Sequence, residues 1–269
     1  MNEKTRPDIL LTNDDGIRSP GLWAAAEALN KLGFVTVAAP REQASGSGRS
    51  MPPASDGTII REIVEVGGQR WEVFAVGGTP AQAVQHGILE LMEKPPDLVV
   101  AGINYGENVT TSVTISGTVG AAMEGAAFGI PSMAVSLQTE PDLHLSYSDV
   151  VDFKVAAHFT RLFAEKLLGS SLMDDVDLLK IDVPAEATLE TGWQIAHLER
   201  SRYYLPKSPE RGNLEDPVLI DYDVIDSTDH LSPGSDAYVL RVDGEIAVTP
   251  LSLDLTSRVD LKQLAEQLA

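Results

Sequence analysis

Two adjacent aspartates, Asp14 and Asp15, lie in the loop NDDG that spans residues 13–16. Neighbouring carboxylates repel each other, and the repulsion is relieved either by protonating one of them or by binding a cation. Hard oxygen donors of this kind favour magnesium, manganese or calcium over zinc. A simple turn with a helix N-cap has the same composition, so the pair alone leaves both interpretations open.

Two further polar loops carry residue types that suit the same chemistry. Residues 44–48 read ASGSG, in which Ser45 offers a hydroxyl, although a flexible linker looks alike. In the loop of residues 102–118, Asn104 can offer a side-chain carbonyl to a metal. The segment Ser116–Gly117–Thr118 precedes a predicted helix, whose free amides would form a phosphate site. Thr118 as a plain helix cap is the compatible alternative.

The elements around these loops alternate in the manner of an α/β protein. Short apolar runs ended by turn formers predict strands, and apolar residues at helical spacing predict helices. The predicted strands are residues 8–12, 34–39, 71–76, 97–101, 132–136 and 178–183, and the predicted helices are 22–32, 79–92, 118–128, 150–168 and 261–268. This order predicts a doubly wound, mostly parallel, Rossmann-like sheet. Ligands of such sheets bind beyond the carboxyl ends of the strands, where all three polar loops are expected.

The character of the sequence changes after Pro184. Residues 185–250 are rich in turn formers and contain β-favouring segments at 193–197 and 218–222, which predict hairpins projecting from the core. We therefore predict a single domain, with a core of about residues 1–184 and an extension of hairpins and a C-terminal helix at about residues 185–269.

Composition excludes several kinds of chemistry. The chain has no cysteine, which removes thiolate metal sites, disulfides and thiol nucleophiles. Its five histidines show no metal-binding spacing, and there is neither a Walker A loop nor a G-x-G-x-x-G motif after a strand. No apolar stretch approaches the roughly 18 residues of a membrane span, and the N-terminus lacks a signal-peptide core, so we expect a cytoplasmic protein.

The chain is strongly acidic, with 20 Lys and Arg against 40 Asp and Glu and a formal charge of −20. This balance argues against binding duplex nucleic acid or an anionic membrane surface. Solubility is the plain explanation of the acidity. An enzyme acting on phosphate esters would need a local offset to this charge, and a bound dication is the natural candidate.

Five sequence blocks resemble those of the SurE nucleotidases in order and spacing. They are ILLTNDDGIRSPGL, VAAPREQASGSGRS, VGGTPAQAV, PDLVVAGINYGENV and SGTVGAAMEG, which extend from about residue 8 to residue 183 with a looser match near GEIAVTPL. Two departures stand out: the segment before Ser45 is Glu42–Gln43–Ala44 where Arg or Asn is frequent, and Ile115 replaces a frequent tyrosine. We expect these changes to tune the choice of substrate.

The resemblance implies a SurE-type fold and a defined set of site residues. One Mg²⁺ or Mn²⁺ ion per subunit would be held by Asp14, Asp15, Ser45 and Asn104, with both aspartates catalytic. The phosphoryl group would bind the SGT segment, and we count as candidate phosphate-binding residues Asn13, Gly46, Ser116, Gly117 and Thr118. The resemblance also implies a homodimer or homotetramer.

The resemblance further implies a metal-dependent phosphomonoester hydrolase. Its substrates would be nucleoside 5′- or 3′-monophosphates and also short polyphosphates, with the preferred base left undetermined. The cation would lower the pKa of a bound water, while a covalent aspartyl-phosphate is the rival route. A non-catalytic nucleotide or phosphate sensor built on the same loops is the alternative function, and a purely structural role leaves the clustered polar loops unexplained.

Overall fold

The computed structural model describes residues 6–144, 148 and 150–269. Eleven strands are formed within these residues. They are β1 Asp8–Thr12, β2 Phe34–Pro40, β3 Ile59–Val66, β4 Gln69–Val76, β5 Leu98–Tyr105, β6 Ser132–Leu137, β7 Leu178–Val183, β8 Trp193–Ile195, β9 Tyr204–Pro206, β10 Tyr222–Val224 and β11 Ile246–Leu251. The helices are α1 Pro20–Leu29, α2 Pro80–His86, α3 Gly117–Ala127, α4 Lys154–Gly169, α5 Asp236–Tyr238 and α6 Leu261–Leu268.

Nine of the strands form one sheet in the order β3-β4-β2-β1-β5-β6-β7-β11-β8. The six strands from β4 to β7 in this order are parallel, while β3 and β11 run antiparallel to their neighbours β4 and β7. The chain moves outward from β1 to β2 and later returns to the other side of β1 as β5. The mostly parallel, doubly wound α/β sheet is therefore confirmed, with a topological switch point at β1 and β5.

Helices cover both faces of the sheet. Helices α1 and α4 pack together on one face, and α2 and α3 pack together on the other. Each pair buries its own apolar cluster against the strands, as expected for a sheet whose central strands are apolar on both sides. All eight residues of β5 are buried, so the loop that follows β5 is anchored at the centre of the molecule.

Local sequence explains where the helices begin, although several bounds differ from the prediction. Thr79 caps α2 through a reciprocal capping box with Gln82, and Pro80 occupies the first turn. The predicted helix of residues 79–92 is α-helical only to His86 and continues as a π-helical turn at Gly87–Leu91. Helix α4 begins at Lys154 instead of residue 150.

The C-terminal extension contains the predicted antiparallel hairpin, while two of its other strands join the main sheet. Strands β8 and β11 join the main sheet, and β11 lies between β7 and β8. Strands β9 and β10 form a separate antiparallel pair, and β10 begins at Tyr222, where the strand predicted for residues 218–222 should end. Helix α6 has no buried residue. None of the helices in the described part of the chain is long and apolar enough to cross a membrane.

Candidate active site

The carboxyl ends of β1, β2 and β5 open onto one cavity. Its volume is about 410 Å³. Five of the sequence-predicted residues line it directly: Asp14, Ser45, Gly46, Asn104 and Ser116. They come from all three segments predicted as polar loops, although β5 continues to Tyr105, so Asn104 lies in that strand and not in the loop after it. Because β1 pairs with β2 on one side and with β5 on the other, the sheet itself brings these loops together.

Asp14 and Asp15 are both buried, with relative exposures of 4% and 1%. Burial raises the pKa of the Asp14 carboxyl, and hydrogen bonds, chiefly from the Thr118 hydroxyl to its Oδ1, offset only part of this shift. Burial and then the neighbouring Asp14 charge raise the pKa of Asp15 well above its usual value. Among the residues described by the structure, Asp14 forms no ion pair. Asp14 lines the cavity and Asp15 does not, and both carboxylates are held in a setting that disfavours their charge.

The turn that carries the aspartates is closed by Asn13. Its side-chain amide donates to the Gly16 carbonyl at 3.0 Å, and its Oδ1 accepts from the Gly16 amide at 3.2 Å. Asn13 is fully buried and does not line the cavity. In this structure its side chain shapes the aspartate loop, while the tight turn uses Gly16 at a φ of 97°.

The Ser–Gly segment is an ordered loop bonded to its neighbours. The Ala44 amide donates to the Asp14 carbonyl at 2.7 Å, and the Gly48 amide donates to the Ile115 carbonyl at 2.9 Å. A β-carbon on Gly120 of α3 would lie 2.4 Å from the Gly48 carbonyl oxygen, so the loop packs directly on that helix. The backbone contacts therefore place Ser45 beside the aspartates.

Asn104 and the start of α3 complete the part of the cavity that is lined by oxygen donors, which we call the oxygen-donor end. The Asn104 amide nitrogen donates to the Gly106 carbonyl at 2.7 Å, which leaves Oδ1 as its available oxygen. Ser116 is the N-cap of α3 and accepts from the Val119 amide at 3.0 Å, so Ser116, and not Thr118, caps this helix. Thr118 is fully buried and Gly117 lies against Asp14; neither lines the cavity in this structure.

Aromatic residues also line the cavity, and the sequence analysis did not find them; we call this part of the lining the aromatic end. His144, Tyr204 and Tyr222 line this end. The Tyr204 and Tyr222 ring centroids lie 5.1 Å apart with the rings nearly perpendicular, and the Tyr222 hydroxyl lies 3.2 Å from His144 Nδ1. Burial lowers the pKa of His144, so its imidazole is neutral at neutral pH.

A fully buried ionic cluster joins the C-terminal extension to the cavity wall. Lys180 on β7 contacts Asp182 on the same strand and lies 3.1 Å from Asp236 of α5. Burial lowers the pKa of Lys180, but the two carboxylates outweigh this effect and hold it above its usual value. Asp182 accepts from the Asn108 amide at 2.8 Å, and Asp236 accepts from the Thr110 amide at 2.9 Å. The cluster therefore holds the loop after β5.

The comparisons with known proteins agree with this architecture. The family model described as "Survival protein SurE" matches residues 9–204 of the chain. The chain belongs to the SurE family. A SurE protein of Thermococcus gammatolerans, named 5′-nucleotidase SurE, is 43% identical over 262 residues, covering 95% of this chain and 94% of the relative. The 5′-nucleotidase SurE of Methanosarcina mazei is 35% identical over 275 residues and covers all of both chains.

A solved SurE structure supports the fold over nearly the whole chain. The crystal structure of the SurE protein from Aquifex aeolicus superimposes with a TM-score of 0.74 and 30% identity, covering 98% of this chain and 100% of the other. The three polar loops all lie inside the residues matched by the SurE family model, whereas Tyr222 lies beyond residue 204, where that match ends. Of the residues of the aromatic end, His144 and Tyr204 therefore lie inside the match to the family model and Tyr222 lies outside it.

Proposed function

We propose that this protein is a metal-dependent phosphomonoester hydrolase that cleaves nucleoside 5′- and 3′-monophosphates and short polyphosphates. The SurE relatives named 5′-nucleotidases support hydrolysis of nucleotides. The observation that carries the proposal is the mixed lining of one cavity. Oxygen donors and the N-cap of α3 line it together with aromatic side chains.

The donors fit a single Mg²⁺ or Mn²⁺ ion. We assign the ion to the carboxylates of Asp14 and Asp15, the Ser45 hydroxyl and the Asn104 carbonyl, all of which are hard oxygen ligands. The described residues contain no group of three or more His, Cys, Asp or Glu that could hold a metal, so neutral donors must complete the set. Two buried carboxylates with raised pKa are the structural support, because a cation relieves the unfavourable burial of their charge.

The protein groups around this end suit phosphate transfer to water. The bound cation would polarise a phosphate oxygen and lower the pKa of a water molecule. We assign the phosphoryl group to Gly46, Ser116 and the amides of Gly117 and Thr118, while Asn13 would act by shaping the turn that presents Asp14 and Asp15. In this structure the amides of Gly117 and Thr118 hydrogen-bond the Asp14 carboxyl. The dipole of α3 also offsets the repulsion between a chain of charge −20 and an anionic substrate.

The reaction then requires few further groups. The water oxygen forms a bond to phosphorus, the ester P–O bond breaks, and the departing nucleoside oxygen receives a proton. Asp14 or Asp15 takes the proton lost by the water, and a solvent water supplies the proton that the departing oxygen receives. Acid quenching during a single turnover with ³²P-labelled nucleotide separates this route from an aspartyl-phosphate, because only the covalent route places label on the protein before phosphate is released.

The aromatic end supports a nucleoside as the leaving group. An aromatic face stacks on any nucleobase, and such stacking stabilises binding by roughly 1–3 kcal/mol per base. A neutral His144 adds a polar contact without adding charge. The test is phosphate release from 5′- and 3′-mononucleotides, short polyphosphate and glycerol 2-phosphate, with Mg²⁺ or Mn²⁺ and with EDTA. Nucleotide binding without release of phosphate would instead identify a sensor.

We also propose that the protein is a homodimer or homotetramer. Leu261, Leu264 and Leu268 lie on α6 with 59%, 39% and 78% of their surface exposed. A second copy of the chain would cover this apolar face. Sedimentation equilibrium of the wild type and of Leu264→Asp tests the proposal, since the charged variant should shift the protein towards the monomer. A monomeric wild type at micromolar concentration would contradict it.

A further inference from the structure

The side chain of Gln43 contacts both the proposed cation ligands and His144 of the aromatic end. Gln43 lies in the loop after β2, two residues before Ser45. Its Nε2 atom lies 3.2 Å from Asp15 Oδ1, 3.1 Å from Ser45 Oγ and 2.9 Å from the His144 carbonyl oxygen. One nitrogen therefore contacts two proposed cation ligands and the residue whose ring contacts Tyr222.

A primary amide nitrogen carries two hydrogens, whereas three oxygens surround Gln43 Nε2. At any moment at least one of the three receives no hydrogen from Gln43. A cation bound by Asp15 and Ser45 would engage lone pairs of both oxygens, and it would leave a hydrogen of Gln43 for the His144 carbonyl. Binding of a cation by Asp15 and Ser45 should therefore strengthen the hydrogen bond from Gln43 to the His144 carbonyl.

We propose that Gln43 is a positioning residue that orients Asp15 and Ser45 for the cation and couples cation binding to the nucleoside end through His144. The inference rests on the proposed function, because it takes the cation and the nucleoside from there. Partners that orient metal ligands from outside the coordination shell typically change metal affinity by about 10- to 100-fold when they are removed.

The chain offers a matched pair of variants for the test. Gln43→Met keeps the length of the side chain and removes its hydrogen-bond donor. Gln43 is half-buried, so the substitution leaves the apolar core untouched. Glu42→Met is the control, because Glu42 is the adjacent exposed residue and makes no hydrogen bond or ion pair among the described residues.

The first measurement is Mn²⁺ binding to the metal-free protein by calorimetry, without substrate. We expect Gln43→Met to bind Mn²⁺ about 10- to 100-fold more weakly than the wild type, with an unchanged unfolding midpoint. Glu42→Met should bind like the wild type. Unchanged affinity in Gln43→Met would overturn the role of Gln43 alone. A wild type that binds no Mn²⁺ would overturn both this inference and the proposed metal site.

The second measurement is adenosine binding with and without Mn²⁺. Adenosine carries no phosphate, so a phosphate–metal contact cannot produce the coupling. We expect Mn²⁺ to tighten adenosine binding by about fivefold or more in the wild type, the lower range of measured coupling between sites. The effect should disappear in Gln43→Met and persist in Glu42→Met. Coupling that survives in Gln43→Met would overturn the link through His144.

Discussion

A β-carbon placed on Gly117 would lie 2.7 Å from the Asp14 β-carbon and 2.8 Å from Asp14 Oδ2. The first residue of α3 therefore leaves no room for a methyl group beside this carboxylate. We expect Gly117→Ala to displace Asp14 and to lower kcat by about 100-fold, the usual effect of a shift of about 1 Å in a reacting group. Gly169→Ala is the control, because a β-carbon there meets no atom within 4 Å, and its kcat should equal that of the wild type.

Asp14→Asn and Asp15→Asn should each lower turnover by at least about 1,000-fold, since each removes a charge from the proposed cation site. The fold should survive, because both substitutions preserve side-chain volume. Steady-state kinetics with circular dichroism measures both expectations. Asp174→Asn, at an exposed aspartate outside the cavity, should be indistinguishable from the wild type. Near-normal activity of either site variant would contradict the proposed site.

The same buried aspartates should make the metal-free protein less stable at neutral pH. The raised pKa of Asp15 means that the folded state holds its proton more tightly than the unfolded state, whose value is 3.8. Stability is therefore lost as pH rises from about that value to the raised pKa. Asp15→Asn should raise the melting temperature of the metal-free protein at pH 7.

With added Mg²⁺ or Mn²⁺, the wild type should have a higher melting temperature than Asp15→Asn. The cation stabilises the folded wild type by mass action, whereas Asp15→Asn should show little cation-dependent shift. Thermal unfolding in EDTA and in excess cation measures the difference. If the melting temperature of the wild type is the same in EDTA and in excess cation, no cation binds at these aspartates.

Tyr222→Leu should affect nucleotides selectively. The substitution removes the most exposed ring of the aromatic end, where 39% of Tyr222 is accessible. We expect KM for a nucleoside monophosphate to rise by about tenfold, which corresponds to roughly 1.4 kcal/mol of stacking. KM for glycerol 2-phosphate should stay constant. Leu205→Ala, on the neighbouring strand, is the control, and its KM values for both substrates should equal those of the wild type. An equal rise for both substrates would place the nucleobase elsewhere.

Glu199 should stabilise the extension in a pH-dependent manner. Its burial raises the pKa, but backbone amides of Ser232, Ser201 and Arg200 outweigh burial and lower the pKa to about 2. Because the folded pKa is depressed, the stabilisation is present above the usual value of 4.5 and is lost as pH falls towards 2.

Glu199→Gln should therefore lower the free energy of unfolding by about 1–2 kcal/mol at pH 7, as expected for hydrogen bonds to a charged group. The difference between the variant and the wild type should shrink between pH 4.5 and pH 2. Urea unfolding across this range measures it. A difference that does not change with pH would show that the charge of Glu199 is unimportant.

The central fold and the oxygen-donor end were predictable from the sequence. Apolar runs predicted β1, β2 and the first half of β5, which continues beyond the predicted end at residue 101 to Tyr105. Polar residues at the ends of parallel strands meet at one sheet edge for geometric reasons. The start of α3 was misplaced by one residue because Ser116 and Thr118 are both good helix caps. Strand β3 was missed even though Ile59–Val66 alternates in burial, which is typical of a half-exposed strand.

The aromatic end was not predictable, because its members share no local pattern. His144 follows β6, while Tyr204 and Tyr222 belong to the short strands β9 and β10. The distance between them in space depends on how the extension docks, and that docking uses the buried Lys180, Asp182 and Asp236. Contacts between distant segments of this kind leave no periodic signal in one sequence.

The arrangement of the sheet also determines when the proposed cation site can form during folding. Asp14, Ser45 and Asn104 belong to three distant stretches of chain, and they meet only when β1 is flanked by β2 and β5. A chain that has formed only its β3–β4 hairpin and isolated helices has no such cluster. The time at which a refolding chain begins to bind a cation would therefore report when β1 pairs with β2 and β5.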